Sequence, residues 1–171
     1  YWNFDNDTNA SNAVTALIGG LNGTKGNQVS VVGGKFGKAL QFSGSNTNSR
    51  VSFGTDSRKN FDGVFSVSLW IKRTSNSGTQ YILGNKSGSN NAGYYFRMSN
   101  NNNKRFTVKG TTQERNRDVT NAWNAQNWHH IVNVFNAQAT QTGERWRIYA
   151  DGVQKDQNNI PKIEDASANL R

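Results

Sequence analysis

One stretch, residues 64–73, constrains the fold more than any other part of the chain. Large apolar side chains recur in it at every second position: Phe65, Val67, Leu69 and Ile71. A period of two places alternate side chains on opposite faces of an extended strand. The pattern therefore predicts a strand that buries one face between two β-layers and shows the other on a sheet surface.

A second strong strand pattern covers residues 128–135, where Trp128, His130, Val132 and Val134 share one face. We expect Val132 to lie in the interior between the layers.

The opening residues 1–4 alternate aromatic and polar side chains and predict the first strand, and the Asp-Gly pair at 151–152 predicts a tight hairpin turn. Short strand signals separated by turns, without a long helical pattern, predict an all-β sandwich or jelly roll.

Composition sets limits on the class of protein. The 171 residues suit one domain, 1–171, and the absence of cysteine excludes disulfides and thiolate metal sites. No apolar run has the length of a membrane span. The chain opens on Tyr1 without an initiator Met, so we expect either that a segment was removed or that the chain is an excerpt of a larger protein.

The net charge of +9 favours anionic partners such as acidic glycans or anionic surfaces. The alternative is that the positive charge binds no partner and only keeps the exposed strand faces soluble. The lysines and arginines form no block of five, and no nucleic-acid-binding motif accompanies them, so we expect no specific nucleic-acid partner.

Three stretches together resemble the laminin-G-like jelly-roll domains of the concanavalin A-like lectin/glucanase superfamily. They are residues 37–44 leading into 50–53, residues 65–72, and residues 127–132 followed by 147–153. The resemblance implies two antiparallel sheets that bind carbohydrate or protein on the concave face or through rim loops, often with Ca²⁺. It covers about residues 1–155 and is more specific for the fold than for the function.

The end of the chain departs from that family. Members usually continue to a last strand that pairs near the N-terminal one, so we expect a jelly roll that lacks its last strand. An open sheet edge would follow, which a strand-donating segment or a second copy in a homo-oligomer can cover.

Enzymatic chemistry is not expected. The superfamily's β-glucan-cleaving enzymes carry E-x-D-x-x-E on one strand, with its carboxylates as nucleophile and acid/base, and this sequence lacks that motif. His129 and His130 are adjacent on a strand, so they face opposite ways and cannot chelate one metal together. A serine-type triad would need partners that the sequence does not identify.

Binding is the remaining interpretation, because aromatic rings stack on sugars while planar polar side chains bond their hydroxyls. Arg97 and Arg105 are expected on neighbouring strands and on one face, where they would favour an acidic ligand. If Trp123 is exposed, its ring would form a platform on which a sugar can stack; the alternative is that Trp123 belongs to the core. The candidate ligand-binding residues are Asn85, Asn90, Asn91, Tyr94, Arg97, Arg105, Arg115, Arg117, Asp118 and Trp123.

Asp5 and Asp7 lie two residues apart in a turn and are candidate Ca²⁺ ligands, although such turns also bond their own backbone. We therefore expect a non-enzymatic carbohydrate-binding or adhesion module that is secreted or surface-displayed. A virion or filament building block, such as a phage decoration or tail-fibre domain, is the alternative, and a glycoside hydrolase or polysaccharide lyase is the third. The expected location is extracellular, on a cell surface or in a virion.

Overall fold

A computed structural model describes residues 1–43, 48–54, 64–75, 78–85, 93–99, 104–109, 114–120, 125–136, 138–140 and 145–156. The chain divides into two compact units, Tyr1–Arg58 and Lys59–Arg171. Among the described residues every regular element is a strand, and no helix of the length and hydropathy of a membrane span occurs.

The described residues of the first unit form five short strands. They are β1 (Ala13–Val14), β2 (Gly23–Lys25), β3 (Val29–Gly33), β4 (Lys38–Phe42) and β5 (Val51–Ser52). The order β1-β2-β5 makes one antiparallel sheet, and β3 and β4, which come between β2 and β5 in the sequence, pair as a separate hairpin.

The expected strand over residues 1–4 is wrong. Phe4 has a φ of 64°, in the left-handed region that a strand residue does not adopt. Its carbonyl accepts a hydrogen bond from the amide of Asp7 at 3.0 Å. The alternation of aromatic and polar residues there accompanies a turn rather than an extended segment.

In the second unit, eight strands fall within the part of the chain that the structure describes. They are β6 (Val64–Lys72), β7 (Gln80–Gly84), β8 (Gly93–Met98), β9 (Lys104–Lys109), β10 (Glu114–Val119), β11 (Trp128–Asn136), β12 (Trp146–Ala150) and β13 (Val153–Asp156). Strands β7 to β10 form one antiparallel sheet in sequence order, which we call the meander sheet. The opposing sheet has the order β13-β12-β11-β6.

The two sheets of this unit pack face to face around one apolar core. Phe65 of the opposing sheet lies 5.3 Å from Tyr94 of the meander sheet, measured between ring centroids. Phe135 and Ile148 are essentially inaccessible to solvent, and burying a side chain of this size stabilises the fold by roughly 2–3 kcal/mol. The predicted all-β, antiparallel two-sheet architecture is confirmed.

The core-facing side of β11 differs from the expectation. Ile131 is opposite Leu69 in the register with β6, so the inner face of β11 carries Ile131, Asn133 and Phe135. Val132 lies half-buried on the outer face. Both faces of this strand are apolar, so alternation alone did not identify the buried one, and the pairing with β6 decides it.

The buried polar group on β11 is paired. Asn133 is 3% exposed, and its side-chain oxygen accepts a hydrogen bond from the indole of Trp146 at 2.5 Å. Such pairing offsets the cost of placing an amide among apolar side chains.

The hairpin turn at 151–152 is confirmed. Asp151 and Gly152 have φ values of 52° and 79°, as a two-residue turn between antiparallel strands requires. The missing last strand stays a prediction, because residues 157–171 lie outside the described part of the chain.

Candidate ligand-binding face

The outer face of the meander sheet, which points away from the core, gathers aromatic, cationic and amide side chains. The register places Arg97 opposite Tyr81 on one side and Arg105 on the other, and Asp118 opposite Arg105. We call this surface the tyrosine–arginine face, defined by Tyr81, Tyr95, Arg97, Arg105, Asn116 and Asp118.

A β-bulge in β7 turns Tyr81 onto this face. The register with β8 shifts between Tyr81 and Leu83, which leaves Ile82 without a partner. Ile82 and Leu83 both pack against the core, whereas regular alternation would put Tyr81 on the same side as Leu83. The extra residue re-aims the tyrosine, and its side chain is 67% exposed.

The exposed Tyr81 and the half-buried Tyr95 form an aromatic pair on this face. The rings of Tyr81 and Tyr95 meet edge to face, with centroids 5.4 Å apart. Gly84 lies opposite Tyr95 in the register, and a β-carbon on it would stand 2.8 Å from that of Tyr95. Glycine at this position therefore lets the strands approach beside the aromatic pair.

The arginines of the face differ in their partners. Arg105 donates from Nε and Nη2 to the two carboxylate oxygens of Asp118, at 2.6 and 2.5 Å. The hydrogen bond with this carboxylate raises the pKa of Arg105 above its usual value. The guanidinium of Arg97 instead lies over the ring of Tyr95, 6.0 Å from the centroid.

A polar pair occupies the next row of the face. Asn116 lies opposite Thr107, whose hydroxyl donates to the amide oxygen of Asn116 at 2.5 Å. The amide nitrogen of an asparagine held in this way keeps its two donors for other partners.

Three other predicted residues of these strands lie elsewhere. Tyr94 faces the core, where burial raises its pKa to about 12. Arg115 and Arg117 share the core side of the edge strand β10 by register. Arg117 forms an ion pair with Asp156 at 2.7 Å, with 11% and 8% of the side chains exposed, which joins the edges of the two sheets.

The loop candidates divide into described and undescribed residues. The side-chain oxygen of Asn85 accepts a hydrogen bond from the amide of Tyr94 at 2.9 Å, at the end of the β7–β8 pair. Asn90, Asn91 and Trp123 lie outside the described residues, so their role stays a prediction.

Both predicted calcium ligands bond backbone amides of the first unit. Asp5 accepts from the amide of Lys38 at 2.8 Å, and Asp7 accepts from the amide of Thr15 at 3.0 Å. Asp7 is 3% exposed, and its second carboxylate oxygen has no hydrogen-bond partner among the described residues. Within that part of the chain, no three His, Asp or Glu side chains cluster as a metal site, and calcium binding stays a prediction.

The adjacent histidines contact separate partners. His130 lies 2.8 Å from the hydroxyl of Ser68 and stacks on Trp70 at 5.1 Å. His129 lies 2.7 Å from the carboxylate of Asp151. A serine-type triad needs one imidazole between the serine and the acid, and here the two contacts fall on different rings.

Asp151 has a structural role in this arrangement. Burial opposes its ionisation, but hydrogen bonds from His129 and from the amide of His130 outweigh that effect and lower the pKa of Asp151. The same residue opens the β12–β13 turn, so the carboxylate holds the turn against the start of β11.

A laminin-G-like family model, described as the concanavalin A-like lectin/glucanases superfamily, matches residues 43–170, roughly three quarters of the chain. The chain belongs to this superfamily. No curated protein and no solved structure matches it. The match includes every strand of the tyrosine–arginine face, whereas β1 to β4 precede it.

Membership supports the general class of function. Laminin-G-like domains of the concanavalin A-like superfamily are commonly carbohydrate-binding or adhesion modules and are often extracellular. They are generally non-enzymatic, although the superfamily includes glycosidases. The sequence indicated Arg97, Arg105 and Asp118 of this face but not Tyr81, Tyr95 or Asn116, because only the strand register groups them.

Proposed function

We propose that this protein is a non-enzymatic carbohydrate-binding module of a secreted or surface-displayed protein, and that the sugar lies on the tyrosine–arginine face. The observation that carries the proposal is the contact of the exposed Tyr81 with the half-buried Tyr95, next to Arg97 and the Arg105–Asp118 pair. Aromatic rings and polar side chains on one surface are what a sugar needs, since its rings have apolar faces and its edges carry hydroxyls.

The chemistry of each group fits that ligand. Tyr81 offers an exposed ring against which a pyranose can pack. Asp118 and Asn116 offer carboxylate and amide groups that bond hydroxyls. Their backbones belong to one sheet, so the groups are held in place before the ligand arrives, which lowers the entropic cost of binding.

The test is a glycan array followed by titration calorimetry with the best ligand. We expect Tyr81→Ala to weaken binding about fivefold or more, because the stacking surface is lost. Tyr1→Ala is the matched control, since Tyr1 is 66% exposed and Tyr81 is 67% exposed. Binding that Tyr81→Ala and Tyr1→Ala change equally, or no glycan binding at all, would contradict the proposal.

A further inference from the structure

We propose that the tyrosine–arginine face selects acidic sugars and that Arg97 binds the carboxylate or sulfate group of the glycan. This inference rests on the proposed function and specifies the class of its ligand. It follows from the distribution of charge over the outer face of the meander sheet.

The charged groups of that face do not balance. Among the strand residues that the structure describes, three cations lie on it by register, namely Arg97, Arg105 and Lys109, together with two carboxylates, Asp118 and Glu114. Each carboxylate is opposite a cation: Asp118 pairs with Arg105, and Glu114 lies opposite Lys109. One net positive charge remains in this count of the described strands, and it is that of Arg97.

The charge of Arg97 has no anionic partner within the described ranges of the chain. Among the described residues it forms no ion pair and donates no hydrogen bond, and its buried Nε is unsatisfied. The contact it does make is with the ring of Tyr95, which orients the guanidinium without neutralising it. A planar guanidinium presents paired donors that match a carboxylate or a sulfate.

The position of Arg97 also fits a charged sugar. It lies between the exposed Tyr81 and a second cation, Arg105. Like charges directly opposite on neighbouring strands destabilise a sheet, so an anion bound at Arg97 would relieve that repulsion. A sugar packed on the tyrosine would place its acidic substituent within reach of the arginine.

The experiment compares matched charged and neutral sugars. The first pair of probes is an oligogalacturonate and its methyl ester, and the second is a sulfated galactan oligosaccharide and its desulfated form. Titrations use about 0.15 M salt, where charges more than roughly 8 Å apart are largely screened. We expect the charged form of at least one pair to bind about 10- to 100-fold more tightly than its neutral form.

Two variants of equal charge locate the effect. Arg97→Gln should reduce the charged-to-neutral preference toward one. Arg147→Gln also removes one positive charge, but from the outer face of the opposing sheet, and should leave the preference intact. A preference confined to one probe pair would identify the acidic group as carboxylate or sulfate.

Several outcomes would overturn the inference. Equal loss of preference in both variants would mean that net charge, and not Arg97, attracts the ligand. A single-stranded oligonucleotide bound with the same dependence on Arg97 would indicate recognition of any polyanion. Binding of the neutral forms through Tyr81 without preference for the charged ones would refute acid selection while leaving the proposed function in place, whereas no binding of any sugar would refute both.

Discussion

Replacing Lys104 by methionine should make the protein more stable at neutral pH. Lys104 lies on the core side of β9, between Met98 and Val119 in the register, and is 1% exposed. Burial, with the charge of Arg73 as a second cause, lowers the pKa of Lys104 from 10.5 to about 8. The folded state therefore disfavours the protonated form that the unfolded chain prefers.

The sign and size follow from proton linkage. Between about pH 8 and 10.5 the unfolded chain binds more protons at this position than the folded one, so the stability contributed by this group rises with pH. A difference of about 2.5 pH units corresponds to about 3 kcal/mol. This cost is fully present below about pH 8 and has disappeared above 10.5. Methionine has a similar volume and carries no charge to bury.

The assay is urea unfolding, followed by tryptophan fluorescence, at several pH values from 7 to 11. We expect Lys104→Met to exceed the parent by about 3 kcal/mol at pH 7, with the difference vanishing near pH 10.5. Lys155→Met, at an exposed position of β13, should differ from the parent by less than about 0.5 kcal/mol at every pH. A Lys104→Met difference that does not change with pH would refute the reasoning.

Three other substitutions test particular contacts. Asp156→Asn leaves the buried guanidinium of Arg117 without its carboxylate and should lower the free energy of unfolding by roughly 3 kcal/mol; a urea transition within 1 kcal/mol of the parent would contradict this. Gly152→Ala should cost about 1 kcal/mol, because φ is 79° there, whereas Gly33→Ala, with open space around it, should be nearly neutral by the same measurement. Asp151→Asn should flatten the acid side of a plot of unfolding free energy against pH. A carboxyl whose pKa is lowered in the folded state stabilises the fold above its unfolded-state pKa and loses that contribution as the pH falls through the folded-state pKa. An unchanged acid side of the plot would show that the carboxylate contributes nothing to stability.

The sequence predicted the regular parts of the sandwich well. The apolar alternation of β6 identified its core face, because the other face mixes Trp70 with two serines and a lysine and is therefore the more polar one. The turn at Asp151 and Gly152 was readable because few residues tolerate positive φ. In β11 the same method identified the strand but not the buried face, since both of its faces are apolar.

Strand β10 gave no usable pattern. Its sequence is Glu-Arg-Asn-Arg-Asp-Val, with Val119 as the one large apolar residue. Arg117 nevertheless points to the core side, because Asp156 of the other sheet supplies an opposite charge there. A partner 39 residues away cannot be read from local periodicity.

The candidate site depends on the same kind of nonlocal information. Arg97 and Arg105 could be placed on one face from their strands, but Tyr81 reaches that face only because Ile82 interrupts the alternation of β7. A regular β7 would direct Tyr81 toward the core with Leu83, and Tyr95 would lose its exposed aromatic neighbour. The bulge therefore separates two roles within one short strand: Ile82 and Leu83 continue the core, and Tyr81 becomes available to a ligand.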